Sequence, residues 1–141
     1  PSTYLLSPAQ VKHNFLTLLG HLSGADTDVI VIEIADGLHQ AETAHLIASK
    51  TFKHHVDGVI FSAADSLGGA YGVERLRTMN VNTLAVSGLV TRSPLAMREL
   101  QDAVDMPVLG RKVLGSPTIE VYLREWLSRL TTLRAFEGGR R

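Results

Sequence analysis

The stretch DVIVIEIADG, residues 28–37, sets two carboxylates, Glu33 and Asp36, in and just beyond a run of Val and Ile. A charge inside an apolar strand is costly unless a counter-charge sits opposite it. Carboxylate oxygens suit Mg²⁺, a hard cation that keeps several waters and takes one or two acidic ligands. Strand alternation sends residues three apart to opposite faces unless the chain has already turned at Ala35. A plainer account is that Glu33 pairs with a basic residue while Asp36-Gly37 forms a turn or helix entry. The pattern alone favours the plainer account.

Other residues invite chemistry more weakly. SLGGAYG, residues 66–72, is a glycine-rich helix entry whose backbone N–H groups could face a phosphate. It lacks the lysine and Ser/Thr of a phosphate loop and does not follow the G-x-G-x-x-G spacing, so a close-packed strand-to-helix turn fits it better. The six histidines, His13, His21, His39, His45, His54 and His55, show no zinc-type spacing and read as surface residues. His39, beside the acidic loop, is the one kept as a site candidate. There is no G-x-S-x-G elbow, and Ser62, Ser66 and Ser87 have no evident base partner.

The elements that would position these residues follow from hydrophobic spacing. SPAQ opens a helix with Ser7 as cap, Pro8 at its first position and Gln10 closing a capping box. Val11, Phe15, Leu18, Leu19 and Leu22 form its apolar stripe. Val29–Ile34 reads as a strand covered on both faces, and Glu42 to about Lys53 as a helix ending near His54-His55. VDGVIFS is a second strand, followed by a helix over Leu67–Met79 that turns Ala70, Tyr71, Leu76 and Met79 inward. NTLAVSG is a third strand, and SPLAMRELQDAV is a helix capped by Ser93. MPVLG is a short fourth strand. SPTIEVYLREWLSRL is a helix burying Ile119, Tyr122, Leu123, Trp126, Leu127 and Leu130. Alternating strands and helices predict one α/β domain over residues 1–141, a mostly parallel four-stranded sheet with helices on both faces, Rossmann-like or P-loop NTPase-like. Residues 136–141 read as a frayed tail.

Composition narrows the partners. With 14 basic and 14 acidic residues, nothing marks a nucleic-acid or anionic-membrane partner. The chain lacks cysteine, which removes thiolate chemistry and leans towards a reducing, cytoplasmic setting. No stretch has the length of a membrane span. In an open parallel sheet, ligands bind beyond the carboxyl ends of the strands, so a nucleotide or other small molecule is expected there.

The order of VIVIEIADG, then VIFSAADSLGGAYGVERLRTMNV, then LAVSGLVT, then MPVLG resembles the C-terminal half of the dethiobiotin-synthetase-like branch of P-loop NTPases, which includes cobyrinic acid amide synthases. The resemblance runs from about Asp28 to Gly115. It implies an ATP- and Mg²⁺-dependent enzyme, with Glu33, and Asp36 beside it, near the metal. Gly88 and Thr91 match the strand end lining the adenine pocket, and Gly110 and Arg111 the loop closing over the base. Ile34 and Asp36 stand where the family has glycines, and Thr91 where it has a base-reading Asn. The phosphate loop is missing from these residues, so the resemblance implies the second half of a larger ATP-binding protein, not catalytically complete alone. Such a half would leave a sheet edge open, giving a homo-oligomer or an exposed apolar strip. The competing expectation is a non-catalytic α/β module that binds a small molecule or protein at the same edge.

Overall fold

Ser7 opens the first helix, α1 (Pro8–Leu22), through a reciprocal cap. Its side chain accepts from the Gln10 backbone, and the Gln10 side chain accepts from the Ser7 N–H at 2.9 Å. The computed structural model describes residues 6–138, with side chains through residue 129. It divides into two compact units, Pro1–Val56 and Asp57–Arg141.

In the first unit, α1 is followed by α2 (Ala41–Ala48) and α3 (Lys50–His55). The single helix expected over Glu42–Lys53 is broken at Ser49, whose hydroxyl serves both pieces. It donates to the Leu46 carbonyl at 2.6 Å and accepts from the Phe52 N–H at 3.1 Å. The core is small: Val11 and Phe15 from α1, with Leu46, Ile47 and Phe52. The Phe15 and Phe52 rings lie 5.8 Å apart. The α1 stripe is therefore only half used, because Leu18 and Leu22 remain exposed.

The second unit holds the sheet. Strand β1 (Val59–Ser62) leads through helix α4 (Ser66–Thr78) to the parallel strand β2 (Thr83–Ser87). The register slips once, between Val59 and Ile60, where Gly58 gives the Leu84 side chain room. A 3₁₀ turn (Leu89–Arg92) follows, then α5 (Pro94–Ala103), α6 (Arg111–Leu114) and α7 (Thr118–Gly138). Successive residues of β2 serve opposite faces, as strand alternation requires. Val86 packs with Ala63, Val73, Val90, Leu100 and Val108, whereas Ala85 packs with Leu109 and Trp126.

The four-stranded sheet is not what forms. Among the described residues the sheet has two strands, β1 and β2. MPVLG contributes one parallel bridge, Val86 to Val108, with Val86 N–H donating to the Pro107 carbonyl and Leu109 N–H to the Val86 carbonyl. Pro107 has no N–H to continue a ladder, and Gly110 already leads into α6. Val29–Ile34 is no strand at all. Its exposure alternates, with Val29, Val31 and Glu33 outward and Ile30, Ile32 and Ile34 half-buried. β-branched residues favour a pleated, half-buried surface, but a strand also needs a ladder partner.

Smaller differences follow from packing. Tyr71, expected inward on α4, is exposed, and Gly72 and Val73 take the buried positions beside Leu76. On α7, Ile119, Tyr122, Leu123 and Trp126 face the core as the spacing predicts, while Leu127 is exposed. The Leu130 side chain and residues 139–141 of the expected tail lie outside the described residues.

Candidate functional site

The carboxyl ends of β1 and β2 are drawn together by one residue. Gly88 closes β2 at φ 102° and ψ −160°, a conformation in effect reserved for glycine. A Cβ there would lie 2.5 Å from the Ala63 carbonyl oxygen and 2.7 Å from the Ala63 nitrogen. That close approach lets Ala63 N–H donate to the Ser87 carbonyl at 2.9 Å, and Val90 N–H to the Ala63 carbonyl at 3.1 Å.

Two hydroxyls then fix the surrounding loops. Thr91 Oγ1 donates to the Gly88 carbonyl at 2.8 Å and holds the 3₁₀ turn. Ser87, buried, donates from Oγ to the Leu109 carbonyl at 2.6 Å, which ties β2 to the segment ahead of α6. As a result Gly110 lies against Thr91, where a Cβ in place of its hydrogen would sit 3.9 Å from the threonine Cβ. Arg111 follows, exposed and without an ion-pair partner among the described residues. Gly88 with Thr91 and Gly110 with Arg111, two pairs about twenty residues apart in sequence, thus share one edge of the second unit. The bond from Ser87 to Leu109 was not foreseen. A strand-ending serine ahead of a glycine gives no sign in sequence that it will bond a carbonyl more than twenty residues on.

Chemically, this edge offers shape and basic side chains, Arg111 among them, rather than a catalytic set among the described residues. Both hydroxyls already donate to carbonyls. Ser66, at the start of α4, donates to Glu99 Oε2 at 3.1 Å, an exposed contact with no histidine in it. SLGGAYG is not a phosphate cradle by geometry: Gly69 and Gly72 are buried against Leu100 and Phe61. The Gly68 N–H, at the helix start, already donates to the Asp65 carboxylate at 2.7 Å, which disfavours a second anion there.

Glu33 and Asp36 belong to the first unit. Both are exposed, and Glu33 has no ion pair among the described residues. The costly buried carboxylate expected from DVIVIEIADG is therefore a solvated one, because the strand around it does not form. Among the described residues, no group of three or more Asp, Glu or His is placed to hold a metal ion. The donor set fits Mg²⁺ only as a partial one: two carboxylates off any ladder cannot supply octahedral coordination without phosphate and water oxygens. All six histidines, His39 included, are exposed. Among the described residues, no helix is long and apolar enough to cross a membrane.

No family model matches the sequence, and comparisons with curated proteins and with solved structures gave no match.

Proposed function

We propose that the second unit carries the base-side wall of a nucleotide site, in an ATP- and Mg²⁺-dependent P-loop enzyme of the dethiobiotin synthetase or amide synthase type. The observation that supports this reading is the meeting of Gly88, Thr91, Gly110 and Arg111 at the carboxyl edge of β2. That is the rim where open α/β sheets take ligands. The left-handed Gly88 lets backbone approach backbone there, and Arg111 supplies a planar cation that can stack on a base. The residues that stabilise charge in phosphoryl transfer, the Lys and Ser/Thr of a phosphate loop, are not in this sequence and must come from elsewhere in the assembled enzyme. In this reading the chain binds a base and does not turn over ATP alone.

A second reading, a non-catalytic module binding a small molecule or protein at the same edge, has its own support. The Ser87 and Thr91 hydroxyls both donate to backbone carbonyls, so neither has a proton left to donate to a base edge.

One titration separates them. Adenosine carries the base without phosphates, so it isolates the wall in question. Adding it to ¹⁵N-labelled chain should shift the amides of Gly88, Thr91, Gly110 and Arg111 saturably in the millimolar range, and inosine should shift them less. Equal shifts with both nucleosides would favour the plain module. No shift at these four amides would end the nucleotide reading.

A further inference from the structure

An open cleft of about 450 Å³ lies at the other end of β2, where α4 finishes and the chain turns back into the strand. Pockets of this volume suit small ligands. Its apolar walls are Val73, Val81 and Met106. Its polar groups are Arg77, Asp105, Asn80, Asn82 and Thr83, and their pairing decides what it can accept.

The two charged side chains of the lining, Arg77 and Asp105, pair with each other, and Glu74 adds a second carboxylate beside them. Arg77 donates from Nη2 to both Asp105 oxygens, at 3.1 and 3.2 Å, and from Nη1 to Glu74 at 3.0 Å. An anion would be repelled by the two carboxylates, and a cation would compete with the guanidinium for them. The two asparagines differ in how they are fixed, Asn80 by its backbone and Asn82 by its side chain. Asn80 sits at φ 54°, a left-handed position that asparagine tolerates better than most residues. Asn82 Nδ2 donates to the Asp57 carbonyl at 2.8 Å, which leaves its carboxamide oxygen as an acceptor.

Thr83 adds the telling feature. Its Oγ1 is sealed from solvent and has no hydrogen-bond partner, a state that buried polar groups rarely keep. Since that oxygen is sealed, Thr83 meets the cleft through its other atoms. A χ1 rotation between staggered positions can move the hydroxyl to where it meets a ligand.

We propose that this cleft binds a neutral, hydroxyl-bearing molecule of monosaccharide size. The ligand's hydroxyls bond Asn80, Asn82 and the rotated Thr83 hydroxyl, while its C–H face lies on Val73, Val81 and Met106. The site is separate from the base-side wall, at the opposite end of β2.

The test is a ¹⁵N titration of the full chain with glucose, galactose, ribose and myo-inositol. At least one should shift the amides of Asn80, Asn82, Thr83 and Met106 saturably, leaving Gly88 and Gly110 unmoved. Thr83→Val keeps the shape and removes the hydroxyl, and should weaken binding roughly fivefold. Asn80→Gly keeps the left-handed backbone, removes the carboxamide and should weaken it by a similar factor. Saturation by none of the four overturns the proposal. So does tighter binding of glucose 6-phosphate than of glucose, or undiminished binding by both folded variants. Because the adenosine titration is read at different amides, either proposal can fail without the other.

Discussion

Two stretches of similar composition meet different fates. VIVIEI in the first unit and VIFS in the second are both rich in β-branched residues, yet only the second enters a sheet. What separates them is what lies within reach. β1 has β2 beside it in parallel register, joined through α4, whose Gly69 and Gly72 let Leu100 and Phe61 pack close. Val29–Ile34 has no ladder partner among the described residues, and Val31 is 89% exposed. Apolar patterning therefore marks strand candidates, while pairing and close helix packing select among them.

The largest way to break this contrast is at Gly88. Gly88→Val puts a branched side chain into the Ala63 backbone at a φ that valine does not adopt. It should cost more than about 4 kcal/mol, seen as loss of the cooperative urea transition reported by Trp126 fluorescence. A loss below about 1 kcal/mol would mean the carboxyl edge is not built as described. Next comes a matched pair of leucines. Leu100, fully buried between α4 and β2, should cost about 3 kcal/mol on replacement by alanine. Leu18 in α1, 56% exposed, should cost within about 0.5 kcal/mol. Equal costs would erase the difference between a packed unit and a lightly packed one.

What could be read beforehand follows the same line. Local chemistry was legible: the Ser7–Gln10 cap, the Ser93 cap of α5 and the α7 face of Ile119, Tyr122 and Trp126 all form as spacing and side-chain type require. Gly88, Thr91, Gly110 and Arg111, named from the family resemblance, lie near one another at the carboxyl edge of β2. Pairing was not legible. Whether Val29–Ile34 or MPVLG joins a sheet depends on residues far away in sequence, and Pro107 shortens the second to one bridge. The expectation of a strand-held carboxylate at Glu33 failed with it, because Val29–Ile34 forms no strand and Glu33 is exposed. The break at Ser49 was missed for a different reason. A serine that donates back to one helix and caps the next looks, in sequence, like any helical serine.

A smaller effect sharpens the contrast inside the second unit. Ser87→Ala removes the buried bond to the Leu109 carbonyl, and with it the tie that sets Gly110 against Thr91. The stability loss should be about 1–2 kcal/mol by urea unfolding. Shifts in the Gly110 and Arg111 amides should accompany it, with those of α1 unchanged. An unchanged Gly110 amide would show that the loop is held by something other than this hydroxyl.

The smallest expected effect is the most discriminating. Val31→Thr keeps the β-branched shape and adds a hydroxyl at a side chain that already faces solvent. With nothing to desolvate, the change should fall within about 0.5 kcal/mol of zero. The amides of Val31 and Glu33 should also exchange with solvent near their intrinsic rates, whereas those of Val86 and Leu109, bonded across the bridge, should be protected. A cost above about 1 kcal/mol, with protected amides at Val31 and Glu33, would mean that another strand covers this stretch in solution. Dilution then identifies the strand's source. If protection falls as the chain is diluted, a second copy pairs with it through its exposed β-branched edge. If protection is independent of concentration, the partner lies within the chain, and the two regions differ less than their sequences of buried and exposed residues indicate.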